Sequence, residues 1–327
     1  MSRLLYLAAA LACAGCRPDF GKPASLVVPG ETRILAVRGE PAEVLPDMPV
    51  AYTALVVTHD GTDTTSPIDW SFCTSPKPLD ENNIVADSCL TEAAVAYFSI
   101  ATPTAMGQTP LDACQRFGPD PPPQDPGKPA LRPRDPDVTG GFYEPIRVER
   151  DRTVAFGLER IVCNLASAGA DVAIDFRARY KANNNPTLTD VTVDGTVLDK
   201  GKPATMDMPG MPAMPAMPPV PTKIPAGQPK PVTFTASWPA ESAEGYPVYD
   251  ITSQTLVDHR ESLRVSWFAT DGAFLHDRTG RGEDEMETTT DNTWTVPKDP
   301  GPVHLWVVLR DSRGGVDYQH YELEITP

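Results

Sequence analysis

Apolar and polar residues alternate in short runs along most of this chain, and two sets of runs match each other. Pro49–Ala54 reads PVAYTA and Pro231–Ala236 reads PVTFTA. A period of two is that of a half-buried strand. Ahead of each lies an alternating segment that ends in glycine, Ala36–Gly39 and Thr192–Gly195. Behind each comes a tryptophan-bearing run, Ile68–Phe72 (IDWSF) and Leu263–Trp267 (LRVSW), whose Trp70 and Trp267 are expected in the core. Three matches in the same order make an internal repeat. The second copy ends in a hairpin: Val303, Leu305, Val307 and Leu309 alternate, Asp311–Gly315 turns, and Gln319, Tyr321, Leu323 and Ile325 alternate to the end. Val172, Ile174, Phe176, Ala178 and Tyr180 are expected to close the first copy as a strand.

The pattern predicts an all-β chain of two tandem β-sandwich domains, 31–182 and 183–327, with long proline-rich loop insertions. An excursion between Thr74 and Arg147 includes 118–137, too rich in proline for a sheet interior. In the second copy Val193 to Val232 spans 39 residues, where the matching Val37 to Val50 spans 13. The excess falls in a loop, 196–230, that carries MDMPGMPAMPAMPPVP (206–221). Its prolines favour a polyproline form with three residues per turn, which aligns Met208, Met211, Met214 and Met217 on one edge.

The passage NTWTVPKDPGPVHLWVVLRDSRGG (292–315) resembles the final strands of bacterial immunoglobulin-like (Ig-like) and polycystin-type (PKD) repeats. That resemblance covers roughly 185–327 and implies an Ig-like β-sandwich there, so that with the internal repeat the expectation is two tandem Ig-like β-sandwiches. The whole chain also resembles uncharacterised Ig-like envelope lipoproteins of the myxobacterial type, through GGFYEPIRV, RIVCNLASA and RYKANNNPTL. This second resemblance implies export and fold, and no activity.

The start, MSRLLYLAAALACAGC, has Arg3, an apolar run from Leu4 to Ala12 too short to span a bilayer, and then Ala14-Gly15-Cys16. It resembles a bacterial lipoprotein signal covering 1–16, with Cys16 as the lipidation site and 17–30 as a tether. Lipid on Cys13 and an ordinary cleaved signal are the alternatives. The resemblance implies a lipid anchor in a membrane. Arg17 in place of an aspartate favours the outer membrane, facing the periplasm or the cell surface. The net charge of -16 repels nucleic acid. Four cysteines follow the signal, Cys73, Cys89, Cys114 and Cys163. An oxidising compartment makes them two disulfides. Three pairings are possible, and Cys73–Cys89 with Cys114–Cys163 is favoured.

Beyond the signal, which itself ends in Cys13-Ala14-Gly15-Cys16, the chain carries none of the short catalytic or phosphate-binding motifs and no Cys-x-x-Cys, and it calls for no cofactor. Met206, Met208, Met211, Met214 and Met217 offer thioethers of the kind copper(I) takes, although an expanded repeat in a tolerant loop also gives this spacing. Asp271, Asp277, Glu283 and Asp284 are candidate calcium ligands without a fixed ligand spacing, against a solvated loop. His304 and His320 fall near one another in the last hairpin, where two solvent-facing histidines are expected rather than a metal pair. Trp306 and Tyr318, on the outward face of that hairpin, suggest a stacking surface for sugar. The composite reading is a non-enzymatic envelope lipoprotein that makes structural, adhesive, protein or glycan contacts. The alternatives are periplasmic copper(I) handling by the Met-Pro loop, and an enzyme whose site is not visible in sequence.

Overall fold

In both halves of the molecule a strand of the first sheet hands the chain to a second sheet, where a short strand runs parallel to the closing one. The computed structural model describes residues 23–76, 85–117, 138–165, 168–201 and 219–327. In the first half, β1 (Arg33–Glu40), β3 (Pro49–Thr58), β4 (Gly61–Thr62) and β7 (Thr104–Gln108) form one sheet. The facing sheet has the order β2 (Glu43–Val44), β9 (Thr153–Val162), β8 (Gly141–Arg150), β5 (Ile68–Cys73) and β6 (Val95–Ala101).

The second half repeats the plan. One sheet runs β11 (Thr196–Val197), β10 (Asp190–Val193), β13 (Val232–Ser237), β19 (Thr289–Thr295), β17 (Ala273–Phe274). The other runs β12 (Thr222–Pro225), β21 (Val316–Thr326), β20 (Gly301–Asp311), β16 (Leu263–Ala269), β18 (Arg278–Arg281). A separate hairpin, β14 (Gly245–Asp250) and β15 (Thr255–Arg260), projects between β13 and β16. The chain is therefore an all-β pair of Ig-like sandwiches. The PVAYTA and PVTFTA runs are the equivalent strands β3 and β13, and the tryptophan runs are β5 and β16.

Alternation directs one row of each strand inward. Val50, Tyr52, Ala54 and Val56 of β3 meet Trp70, Phe72, Ile146 and Val148 in the first core. Phe234, Trp267, Trp294, Leu305, Val307 and Tyr321 lie in the second. Trp70 and Trp267 are both fully buried. The first core also holds Glu159, whose carboxyl burial, and then Glu43 and Glu40, push up to about 9. Gly39 makes room for it, since a Cβ there would lie 2.1 Å from Glu159 Oε2.

Three expectations need correction. Ala170–Arg179 is an α-helix, not the closing strand of the first copy. The alternation of Val172, Ile174, Phe176 and Ala178 is incidental: only Phe176 is buried, and Ile174 is exposed. Asp171 in the first turn, Arg177 and Arg179 in the last, and an Asp175–Arg179 pair at i,i+4 favour helix. The first sandwich closes instead with the β8–β9 hairpin. Secondly, the excursion between Thr74 and Arg147 contains β6, β7 and the start of β8. Thirdly, the loop 196–230 contains β11 and β12, because the chain must pair with β10 before the insertion and with β21 after it. The 118–137 loop and all five methionines of the Met-Pro stretch lie outside the described residues.

Candidate functional site at the seam between the sandwiches

The two sandwiches are joined through their outer faces. Leu35, Ala36, Leu55 and Val57, on the side of β1 and β3 that faces away from the first core, pack on Trp306, Val308 and Val316 of β20 and β21. The N-terminal segment closes the same cluster. Leu26 bridges to Ala269 in parallel register, and Val27 is fully buried. The expected tether 17–30 is therefore strapped to the second sandwich over its described part, from Pro23 on. Trp306, expected to face outward for sugar stacking, has no exposed surface, and its Nε1 donates to Thr62 Oγ1 of the first sandwich at 2.8 Å. Tyr318 packs beside it, its hydroxyl pushed up to about 12 by burial.

At one margin of the seam His304 Nδ1 and His320 Nε2 share a 3.0 Å hydrogen bond, and both rings stack on Trp306. These histidines face the first sandwich rather than solvent. Burial lowers both pKa values, that of His320 to about 4 with a further contribution from His304. The pair is neutral at pH 7, with one ring donating and the other accepting. The tight β3–β4 turn closes over them, with Gly61 at φ +123 packed against His304.

At another margin lies a buried ion network. Arg313, in the β20–β21 turn, donates from Nε to Glu261 at 2.5 Å, from Nη2 to Glu244 at 2.7 Å and from Nη1 to the Lys181 carbonyl at 3.0 Å. Its Nη1 also lies 3.7 Å from Glu43 of the first sandwich. Glu43 accepts from Arg160 Nε at 3.1 Å, the Tyr180 hydroxyl at 2.6 Å and the Asn183 amide at 2.7 Å. Asn183 reaches on to Asp311. Glu261 is pushed up to about 7, first by burial and then by Asp311, against the pull of Arg313. Removing one member of such a network would leave a buried charge uncompensated, which is strongly destabilising. The sequence marks Arg313 only as part of the Asp311–Gly315 turn, and nothing in it links that turn to Glu43, which is far away in the chain.

The sequence-level site residues fare differently. Cys73 is bonded to Cys89 and Cys114 to Cys163, the favoured pairing. The four calcium candidates are dispersed. Glu283 pairs with His259 at 3.0 Å, Asp271 caps its own turn at the Gly272 amide, and Asp277 lines a cleft at the seam. Among the described residues no three His, Cys, Asp or Glu side chains converge as metal ligands. Cys16 lies outside the described residues, as do Met206, Met208, Met211, Met214 and Met217.

No family model matches the chain, and no curated protein does. Similar solved structures include Escherichia coli alpha-2-macroglobulin activated by porcine elastase, at 8% identity and a TM-score of 0.23, over 94% of this chain and 22% of that one. Yersinia pseudotuberculosis adhesin InvE matches at 8% identity and a TM-score of 0.22, over 94% of this chain and 62% of that one. The fibronectin(III)-like modules of Clostridium thermocellum CbhA match at 9% identity and 0.20, over 89% and 94%. The chain thus spans less than two thirds of the first two. Likeness at these scores carries no functional argument, and the fold rests on the chain's own strands and registers.

Proposed function

We propose that this chain is a non-enzymatic module of the cell envelope, anchored by lipid on Cys16, in which two Ig-like sandwiches joined as one body contact an envelope protein or glycan. The observation that carries this reading is the strap. Val27 is fully buried between the two sandwiches, and Ala269 accepts from Val27 N and donates to Ser25 O, each at 2.9 Å. A lipid on Cys16 would be joined to Pro23 through six intervening residues, a leash of at most about 25 Å. The body would then stand next to the bilayer with little freedom to turn. Such an arrangement suits display or spacing. Exposed Tyr97 and Ile100 on edge strand β6, and Met106 on edge strand β7, favour a protein partner over a glycan.

Metabolic labelling with a fatty-acid analogue tests the anchor. Label is expected on the wild type and lost in Cys16→Ala, and an unlabelled wild type rejects it. Capture from envelope extracts by the purified chain, weakened by Ile100→Asp or Met106→Asp, is the expected sign of a binding role. Reproducible hydrolysis of a substrate by the pure protein would contradict the non-enzymatic reading.

A further inference from the structure

Where the strap and β1 meet the outer face of the second sandwich, they leave a cleft of about 600 Å³. Its walls carry Arg33, Arg264, Arg278 and Arg310, with Asp277 as the one carboxylate among the lining residues, and Phe268 as an apolar wall. Four guanidiniums against one carboxylate is an anomaly in a chain of net charge -16.

The register explains the crowding. Arg264 of β16 stands directly opposite Arg310 of β20, and Arg278 of β18 stands opposite Ser266, one position along the same face. Like charges placed opposite each other across strands destabilise a sheet. Among the described residues, none of the four arginines has a carboxylate within 4.0 Å. Two of them are positioned by backbone carbonyls: Arg310 Nη2 donates across the seam to Leu35 O at 2.6 Å, and Arg33 Nη1 donates to Leu26 O of the strap at 3.0 Å. Arg33 also lies 5.4 Å over the Phe268 ring. Burial, and then Arg278 and Arg264, hold Arg310 down to about 10. A site that gathers four cations around one lining carboxylate, with none of them ion-paired, leaves an excess of positive charge that suits an anion from outside.

We propose that this cleft binds a small molecule bearing a phosphate or sulfate group, with the anion on Arg264, Arg278 and Arg310 and the remainder against Arg33 and Phe268. Guanidinium forks match the oxygens of such groups in bidentate fashion. The volume is that of a small-molecule site. The net charge of -16 disfavours a long polyanion, whose other charges would face repulsion. The same group occurs on soluble esters and on lipid headgroups, and the two are separable. The inference does not rest on the anchor at Cys16 or on the envelope role.

The test is a thermal-shift titration of the whole protein with inorganic phosphate, pyrophosphate and sulfate, at ionic strength matched with chloride. The wild type is expected to gain several degrees in a saturable manner, with no gain in chloride. Arg264→Gln/Arg278→Gln is expected to lose that gain. Without anion at low salt it is also expected to melt higher than the wild type, because two repelling cations are gone. A merely structural role for these arginines predicts the opposite, a lower melting point. A second arm compares wild type and double variant on phosphatidylcholine vesicles with and without phosphatidic acid. Arginine-dependent co-sedimentation assigns the group to a headgroup, and a thermal shift without co-sedimentation assigns it to a soluble ester. A shift that chloride reproduces, a shift retained in the double variant, or no response in either arm overturns the proposal.

Discussion

The two sandwiches share a strand plan and differ in what holds them. The second closes on a core with Trp267, Trp294 and Phe234 fully buried, and it contains no cysteine. The first has a looser plan, with a long stretch between β5 and β8, a buried acid, and two disulfides, Cys73–Cys89 and Cys114–Cys163. Each disulfide ties a short helix from that stretch to a strand end, at β5 or just past β9. One topology is thus reached by apolar burial in one copy and by covalent closure of long loops in the other. Where inserted chain raises the entropic cost of closure, a cross-link offsets it.

Reducing both disulfides is the sharpest way to break this comparison. Chain entropy assigns about 3 kcal/mol to the loop closed by Cys73–Cys89 and about 4 kcal/mol to the one closed by Cys114–Cys163. Urea unfolding with reductant is expected to split into two transitions, the earlier from the first sandwich. A single unmoved transition would mean the bridges contribute nothing. Next comes Trp267→Ala, expected to cost about 3–5 kcal/mol, the usual range for emptying a core tryptophan site. That loss should appear in the later transition.

Titration separates the two regions with opposite signs. His320 has its pKa lowered to about 4, so the folded state resists a proton that the unfolded chain accepts. Stability at the seam is complete above about pH 6.5 and is lost as pH falls toward 4. Glu159 has its pKa raised to about 9, so the folded state keeps a proton that the unfolded chain gives up above the ordinary carboxylate range. Stability of the first sandwich is therefore lost as pH rises toward 9. His320→Gln is expected to flatten the acid limb and Glu159→Gln the alkaline limb, in urea midpoints measured from pH 4 to 9. The smallest expected effect is that of Asp175→Asn, which removes an exposed i,i+4 pair from the helix and should lower stability by a few tenths of a kcal/mol.

The same contrast explains what could be read from the sequence. β3, β5, β13, β16 and the β20–β21 hairpin were legible because each buries one face, and a buried face imposes a period of two. The helix at 170–179 was misread because apolar residues at every second position imitate that period, while its end charges and i,i+4 pair spoke for helix. β6 and β7 were concealed in an excursion judged by its prolines. The seam was not legible at all. Trp306 and His320 alternate as outward-facing residues, and only the placement of the first sandwich turns outward into buried. The Arg313–Glu43 network and the four arginines of the cleft join residues with no sequence spacing in common, so no pattern along the chain could nominate them.

The central claim is that the seam makes two sandwiches one body. Double electron–electron resonance between spin labels at exposed Leu111 in the first sandwich and exposed Lys223 in the second tests it most directly. One narrow distance distribution is expected in the wild type, broadened in Trp306→Ala/Arg313→Ala. A broad distribution in the wild type, as two domains on a free linker would give, would contradict it.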